Sequence, residues 1–225
     1  MEPRPADDTG GSHTVSGSAR DVIDVEWWAD DASLGGLVRL DVRPDLGRTA
    51  LLVAVVGPDR APAVVLDHDL PLASGSLELR GSGVWVDLVC ETPLDHWTVG
   101  LEAFGLEVDG SASITPATVG DRVPVGLDLD LDTVGVASGA PGGFRVGLRV
   151  HGEVLVADAV LELDGHGVRR RRWDGDDPVL DDGGVDGSVA SVAVSWPRAS
   201  GPSAPSPRRH LVGDRTAVRW VAASH

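Results

Sequence analysis

Apolar and polar residues alternate along much of this chain. Val123, Val125, Leu127, Leu129 and Leu131 are separated by Pro124, Gly126, Asp128, Asp130 and Asp132. This period of two places the apolar set on one face of a β-strand. Phe144, Val146, Leu148 and Val150 repeat it after the turn-forming SGAPGG stretch, so the two segments are predicted as antiparallel neighbours. Shorter β-branched runs, Leu37–Arg43, Thr49–Val56, Ala63–Asp67 and Leu77–Arg80, are punctuated by RPDLG, GPDRAP and ASGS. A longer pair, Val84–Glu91 and His96–Val108, is joined across TPLD, and further strands are predicted at Glu153–Leu163, Val168–Trp173, Val189–Trp196 and Ala217–Val221. Turn signals recur about every ten residues, the spacing of an all-β sandwich or barrel. No stretch sustains helical spacing with caps, so little helix is expected. The reading is a loose leader over residues 1–20 and one all-β domain over 21–225, with loops at 174–187 and 197–209.

Composition narrows the function classes. A net charge of −16 and a pI near 4.6 argue against sequence-independent binding of nucleic acid or anionic lipid. No apolar run approaches a membrane span, mean hydropathy is near zero, and residues 1–18 lack the apolar core of a secretory signal. The chain has no Lys, Asn, Gln or Tyr. Schiff-base and P-loop lysines are thereby excluded, and proton transfer falls to Asp, Glu, His or the single Cys90. One cysteine permits no intrachain disulfide, and a cytoplasmic location is expected.

Most candidate motifs fail on spacing. The acidic stretch 174–187 misses the calcium-loop register: from Asp174 the fifth position is Pro178, and from Asp182 the twelfth is Ala193. Asp128, Asp130 and Asp132 would stand roughly 6.6 Å apart along one strand face, too far for all three to hold one ion. No short histidine motif supports a metal, and no metal or cofactor is expected. Cys90, in the apolar run WVDLVC, reads as a buried thiol. The GHG at Gly165–Gly167 reads as a turn and lacks the third glycine of a dinucleotide fingerprint. In a strand, Arg169 and Arg171 would point one way and Arg170 and Arg172 the other. Pairing with nearby acids is their default role; capture of a ligand carboxylate is the sharper one.

The densest chemistry lies in WVDLVCETPLDHWTVGLEAF, Trp85–Phe104. Trp97, Val99, Leu101 and Ala103 share one face; His96, Thr98, Gly100, Glu102 and Phe104 share the other. Indole walls with one or two ionisable groups could orient an apolar molecule at a barrel or sandwich mouth. His96 and Glu102 lie roughly 20 Å apart along the strand, which excludes a direct acid–base pair. His96 with Glu91 or Asp95 across the turn remains the catalytic candidate. Against this stands a bland alternative, with Trp85 and Trp97 as core and His96 as a surface residue at the hairpin end.

Three stretches, EWWADDASLGGLVRLDVRPDLGRT, WVDLVCETPLDHWTVGLEAF and HGEVLVADAVLELDGHGVRRRRWDG, together resemble an actinobacterial group of uncharacterised proteins. That group is related to the lipocalin-like superfamily of carotenoid 1,2-hydratases and AttH-type proteins. The resemblance spans roughly Val25–Trp173 and implies a calycin-like architecture of large antiparallel sheets or barrels that enclose a cavity for an isoprenoid, steroid or other lipid-like molecule. Relatives tend to carry G-x-R-D-H-S-W-G, aligning with Gly167–Asp174; here Arg170 and Arg171 replace its Asp-His pair, which favours an anionic head group over proton-transfer chemistry. The leading expectation is a hydrophobic small-molecule binder with Trp85, Trp97, Trp27 and Trp28 lining the site and Glu102, Arg170 and Arg171 as its polar groups. A cofactor-free hydratase or isomerase using His96 with Glu91 or Asp95, and a non-catalytic protein-interaction module, are the alternatives. A homo-oligomer is compatible with each.

Overall fold

The computed structural model describes residues 2–11 and 20–173, with short gaps at 32, 58–59, 74, 109–112, 115–118 and 141, and strand segments at 192–193, 207–211 and 218–222. In chain order the strands are β1 Asp21–Ala29, β2 Gly35–Arg43, β3 Arg48–Gly57, β4 Arg60–Pro71, β5 Leu77–Gly81, β6 Val84–Thr92 and β7 His96–Glu107. They continue with β8 Ser113–Ile114, β9 Asp121–Ala140, β10 Gly143–Val156, β11 Ala159–Arg172, β12 Val192–Ala193, β13 Pro207–Leu211 and β14 Val218–Ala222. Helix is confined to two 3₁₀ turns among the described residues, Pro5–Asp7 and Pro44–Leu46.

Every pairing is antiparallel. Three meanders, β1 to β4, β5 to β7 and β9 to β11, join in the order β4-β3-β2-β1-β11-β10-β9-β7-β6-β5. Ala63 and Val64 of β4 then pair with Glu107 and Leu106 of β7. This contact closes an eight-stranded barrel and leaves β5 and β6 as a hairpin extending from β7. The fold is therefore all-β and consistent with a calycin-like form. Closure covers part of the edge that β4 would expose in an open sheet.

Alternation explains which face turns inward. Trp97, Val99, Leu101 and Ala103 of β7 and Val125, Leu127, Leu129 and Leu131 of β9 are buried, while Asp128, Asp130 and Asp132 face solvent. These inward residues and their counterparts on the other strands form one cluster, with side chains filling the centre. A second buried cluster, Leu37, Leu52, Ala54, Val56, Val64 and Val108, lies on the outer face of β2, β3 and β4. Strands β1, β2 and β3 are consequently buried on both faces, so their sequences run apolar with little alternation.

Three sequence expectations are corrected. Glu153–Leu163 is not one strand: β10 turns into β11 at Ala157 and Asp158, with Ala157 at φ 56°. GHG is not a turn but the interior of β11. A Cβ at Gly165 would stand 2.1 Å from the Trp28 carbonyl oxygen, and one at Gly167 2.5 Å from that of Glu26, so β1 can approach only a strand without side chains there. The expected 197–209 loop ends in strand, since Pro207 opens β13. The 174–187 stretch and most of Val189–Trp196 lie outside the described residues.

Trp27 is fully buried, and its registered neighbours are Gly36 on β2 and Gly167 on β11. A Cβ at Gly36 would lie 2.3 Å from Trp27 Cζ2 and 2.7 Å from the Ala54 carbonyl oxygen. Gly36→Ala should therefore destabilise the barrel by about 1–3 kcal/mol in urea unfolding. The double variant with Trp27→Leu should lose less than the sum of the two single changes, because the indole is half of the clash. Strict additivity would contradict this packing.

Candidate functional site

β11 carries two inward arginines, Arg169 and Arg171, both fully buried. Alternation sends Arg170 and Arg172 outward, as a strand requires. All four pair with acids: Arg169 with Asp8, Arg171 with Asp21, Arg170 with Glu26 and Arg172 with Asp24. Asp24 also receives Arg39, at 2.5 and 2.9 Å, on the same outer wall. Buried guanidinium groups require such partners, because a lone charge there would cost several kcal/mol.

The inward pairs sit at one end of the barrel, formed by the β6–β7 turn, the end of β11 and the starts of β1 and β10. Their acid comes from the N-terminal stretch that the sequence reading treats as a loose leader. Pro5–Asp7 makes a 3₁₀ turn after Arg4, and the following Asp8 is fully buried. Its carboxylate accepts from both terminal nitrogens of Arg169, with Nη2 at 2.7 Å from Oδ2. The same Oδ2 accepts from the Leu94 backbone N–H at 2.6 Å and from Trp97 Nε1 at 3.1 Å. Cys90 Sγ donates to the Asp8 carbonyl at 3.2 Å. Arg171 holds the next residues by donating to the Thr9 and Gly11 carbonyls, and to Asp21 Oδ2 at 2.7 Å.

Aromatic rings complete the floor. The Arg169 guanidinium carbon lies 4.4 Å from the Trp97 ring centroid and 5.5 Å from that of Phe144, within cation–π range. Phe144 in turn packs against Trp173 at 6.2 Å. Arg169 Nε is buried with no hydrogen-bond partner among the described residues. The Cys90 thiol is pushed above its usual range, first by burial and then by the Asp8 charge.

The expected site residues do not form one group. Trp97 lies at the arginine-bearing end, and Trp27 is inward, its indole nitrogen unpartnered among the described residues. Trp28 and Trp85 are half-buried on the outer wall; Trp85 donates to Glu78 and lies beside Arg80. Arg170 and Arg171 face opposite sides. Glu102, Glu91 and Asp95 are exposed. His96 is outward and sits 2.9 Å from Asp132 and 3.6 Å from Asp130, so its partners are β9 aspartates rather than Glu91 or Asp95.

His96 belongs to an exposed belt across the outer wall. His151 bridges Asp132 and Asp164 at 3.4 and 3.2 Å, and Arg149 bridges Asp164 and Asp30 at 2.5 and 2.8 Å. His166 meets Asp30 at 2.7 Å. Hydrogen bonds from Arg149 and then His166 hold the Asp30 carboxyl below its usual range. Whatever stability Asp30 adds is therefore present at neutral pH and lost as pH falls through that lowered value. Among the described residues no three His, Cys, Asp or Glu side chains are disposed to hold a metal ion, and no helix is long and apolar enough to cross a membrane.

Fold and site define an all-β barrel protein with a buried arginine–carboxylate constellation at one end. The chain belongs to the family described as Domain of unknown function (DUF7064), whose model matches residues 9–175. No curated protein and no solved structure matches the chain. The match includes Arg169, Trp97 and Leu94 and begins one residue after Asp8.

Two outcomes follow. Asp8→Ala should cost about 3–5 kcal/mol of stability by leaving Arg169 buried and unpaired, whereas Asp132→Asn on the exposed belt should cost less than about 1 kcal/mol. Equal losses in denaturant titrations would contradict the burial contrast. At pH 8 the Cys90 thiol should be alkylated by iodoacetamide more slowly in the native protein than in urea, and the gap should narrow as pH rises. A native rate matching the unfolded one would show that neither burial nor the Asp8 charge acts on the thiol.

Proposed function

We propose that the protein binds an apolar small molecule at the arginine-bearing end of its barrel. The observation that supports this most directly is the composition of that end. An apolar inner wall, with the Trp97 and Phe144 rings, meets the buried guanidinium of Arg169, and what covers it is a short N-terminal stretch rather than a strand of the wall. Closed barrels commonly take ligands through their mouths.

Side chains fill the described interior, so the guest is accommodated where Pro5–Asp8 lies and not in a ready-made hollow. The site this defines is smaller than the set expected from sequence. Trp97 faces the guest, Arg169 anchors its polar end, and Trp28 and Trp85 on the outer wall take no part. An isoprenoid, steroid or lipid-like guest remains the expected chemistry, from the resemblance already noted.

Fluorescence titration against a panel of isoprenoids, sterols and fatty acids tests the reading. A saturable change in tryptophan emission is expected for at least one class; it should disappear in Trp97→Phe and persist in Trp85→Phe. No change across the panel, or a response carried by Trp85, would refute it.

A further inference from the structure

We infer that the donors at the barrel mouth form a carboxylate-binding site that the protein fills with its own Asp8, and that an apolar ligand bearing a carboxylate displaces Pro5–Asp8 to occupy it. The apolar part of this ligand rests on the reading under Proposed function; the carboxylate part rests on geometry alone.

Four donors from three places in the chain converge on a single carboxylate. Two are the parallel terminal nitrogens of Arg169, one is the Leu94 backbone N–H and one is Trp97 Nε1. A planar fork matched to two oxygens is the arrangement by which arginine recognises carboxylates. The site is also more than a salt bridge needs. Arg169, Leu94 and Trp97 all belong to the barrel and its turn, whereas Asp8 arrives on a segment outside the strands, 161 residues from Arg169 in sequence.

Arg169 Nε is buried without a partner among the described residues, so the guanidinium keeps one donor beyond the two that Asp8 engages. The residues after Asp8 are held independently by Arg171 through the Thr9 and Gly11 carbonyls. Loss of the Asp8 contact would thus leave the chain tethered close to the mouth. The two inward pairs are charge-balanced, and withdrawing Asp8 leaves one net positive charge in an apolar enclosure with aromatic walls. A carboxylate on a hydrophobic tail matches both features. A neutral alcohol of the same length matches only the second.

Chemical rescue tests the head group. Asp8→Gly removes the equivalent of one acetate from the full chain. Acetate, compared with chloride at equal ionic strength, should raise the melting temperature saturably, by about 3–6 °C at roughly ten times its Kd. It should do so neither in the wild type nor in the double variant with Arg169→Met. A response equal to that of chloride, or one that survives loss of Arg169, overturns the carboxylate site. Should Asp8→Gly fail to fold, the wild type supplies the test through Cys90, which contacts the segment. Octanoate should accelerate alkylation of its thiol saturably and octanol at the same concentration should not; equal effects, or none, overturn the proposal. On Asp8→Gly, octanoate should also bind more tightly than acetate. If both carboxylates bind equally, the carboxylate site stands while the displacing apolar ligand and the reading under Proposed function fall.

Discussion

A guanidinium group inside an apolar barrel demands a carboxylate, and this chain places two such groups side by side on one strand. Arg169 and Arg171 occupy consecutive inward positions of β11, where every other inward residue from Leu163 onward is apolar or glycine. Desolvation of each would outweigh many packing contacts if it stood alone. Asp21, at the start of β1, answers Arg171 from the neighbouring strand. Arg169 is answered from outside the barrel, and meeting that demand brings the N-terminal stretch into the mouth. The placement of Asp8, the contact of Cys90 with its carbonyl and the hydrogen bond of the Trp97 indole all meet at this pair.

The rest of the architecture protects that arrangement. Closure through Ala63 and Val64 against Leu106 and Glu107 turns eight strands of the ten-stranded sheet into a ring, and Arg169 and Arg171 are fully buried inside it. Glycines at 36, 165 and 167 let β1 and the Trp27 ring lie against the neighbouring strands. The buried pairs on β11 have well-defined partners, while the histidine–aspartate belt is exposed, screened and energetically modest. The proposed ligand site accordingly lies at the mouth and not on the belt, although the belt holds three of the protein's histidines.

Much of the fold was legible because period-two alternation survives wherever one face meets solvent, as in β7, β9 and β10. It fails where both faces are buried. In β1, DVIDVEWWA carries adjacent apolar residues on opposite sides, and the alternation alone did not single it out. The turn at Ala157 and Asp158 lacks glycine, proline and asparagine, so the strand pattern reads straight through it. GHG misled for the opposite reason: glycines mark turns, but here they mark close approach of backbone. At the site, the alternation of Arg169–Arg172 and their pairing with acids could be read from spacing. Asp8 could not, since its partners lie 82 to 161 residues away and nothing local distinguishes it from Asp7.

Residue-resolved hydrogen exchange of the indole N–H groups tests the Asp8–Arg169 pairing most directly. Trp97 Nε1 is buried and donates to Asp8, whereas the Trp85 indole lies on the half-buried outer wall with an exposed acceptor. Exchange at Trp97 should be far slower than at Trp85 in the wild type and should quicken in Asp8→Asn, where Trp85 stays unchanged. A Trp97 indole that exchanges as fast as that of Trp85, or that is indifferent to residue 8, would contradict a carboxylate seated in the mouth.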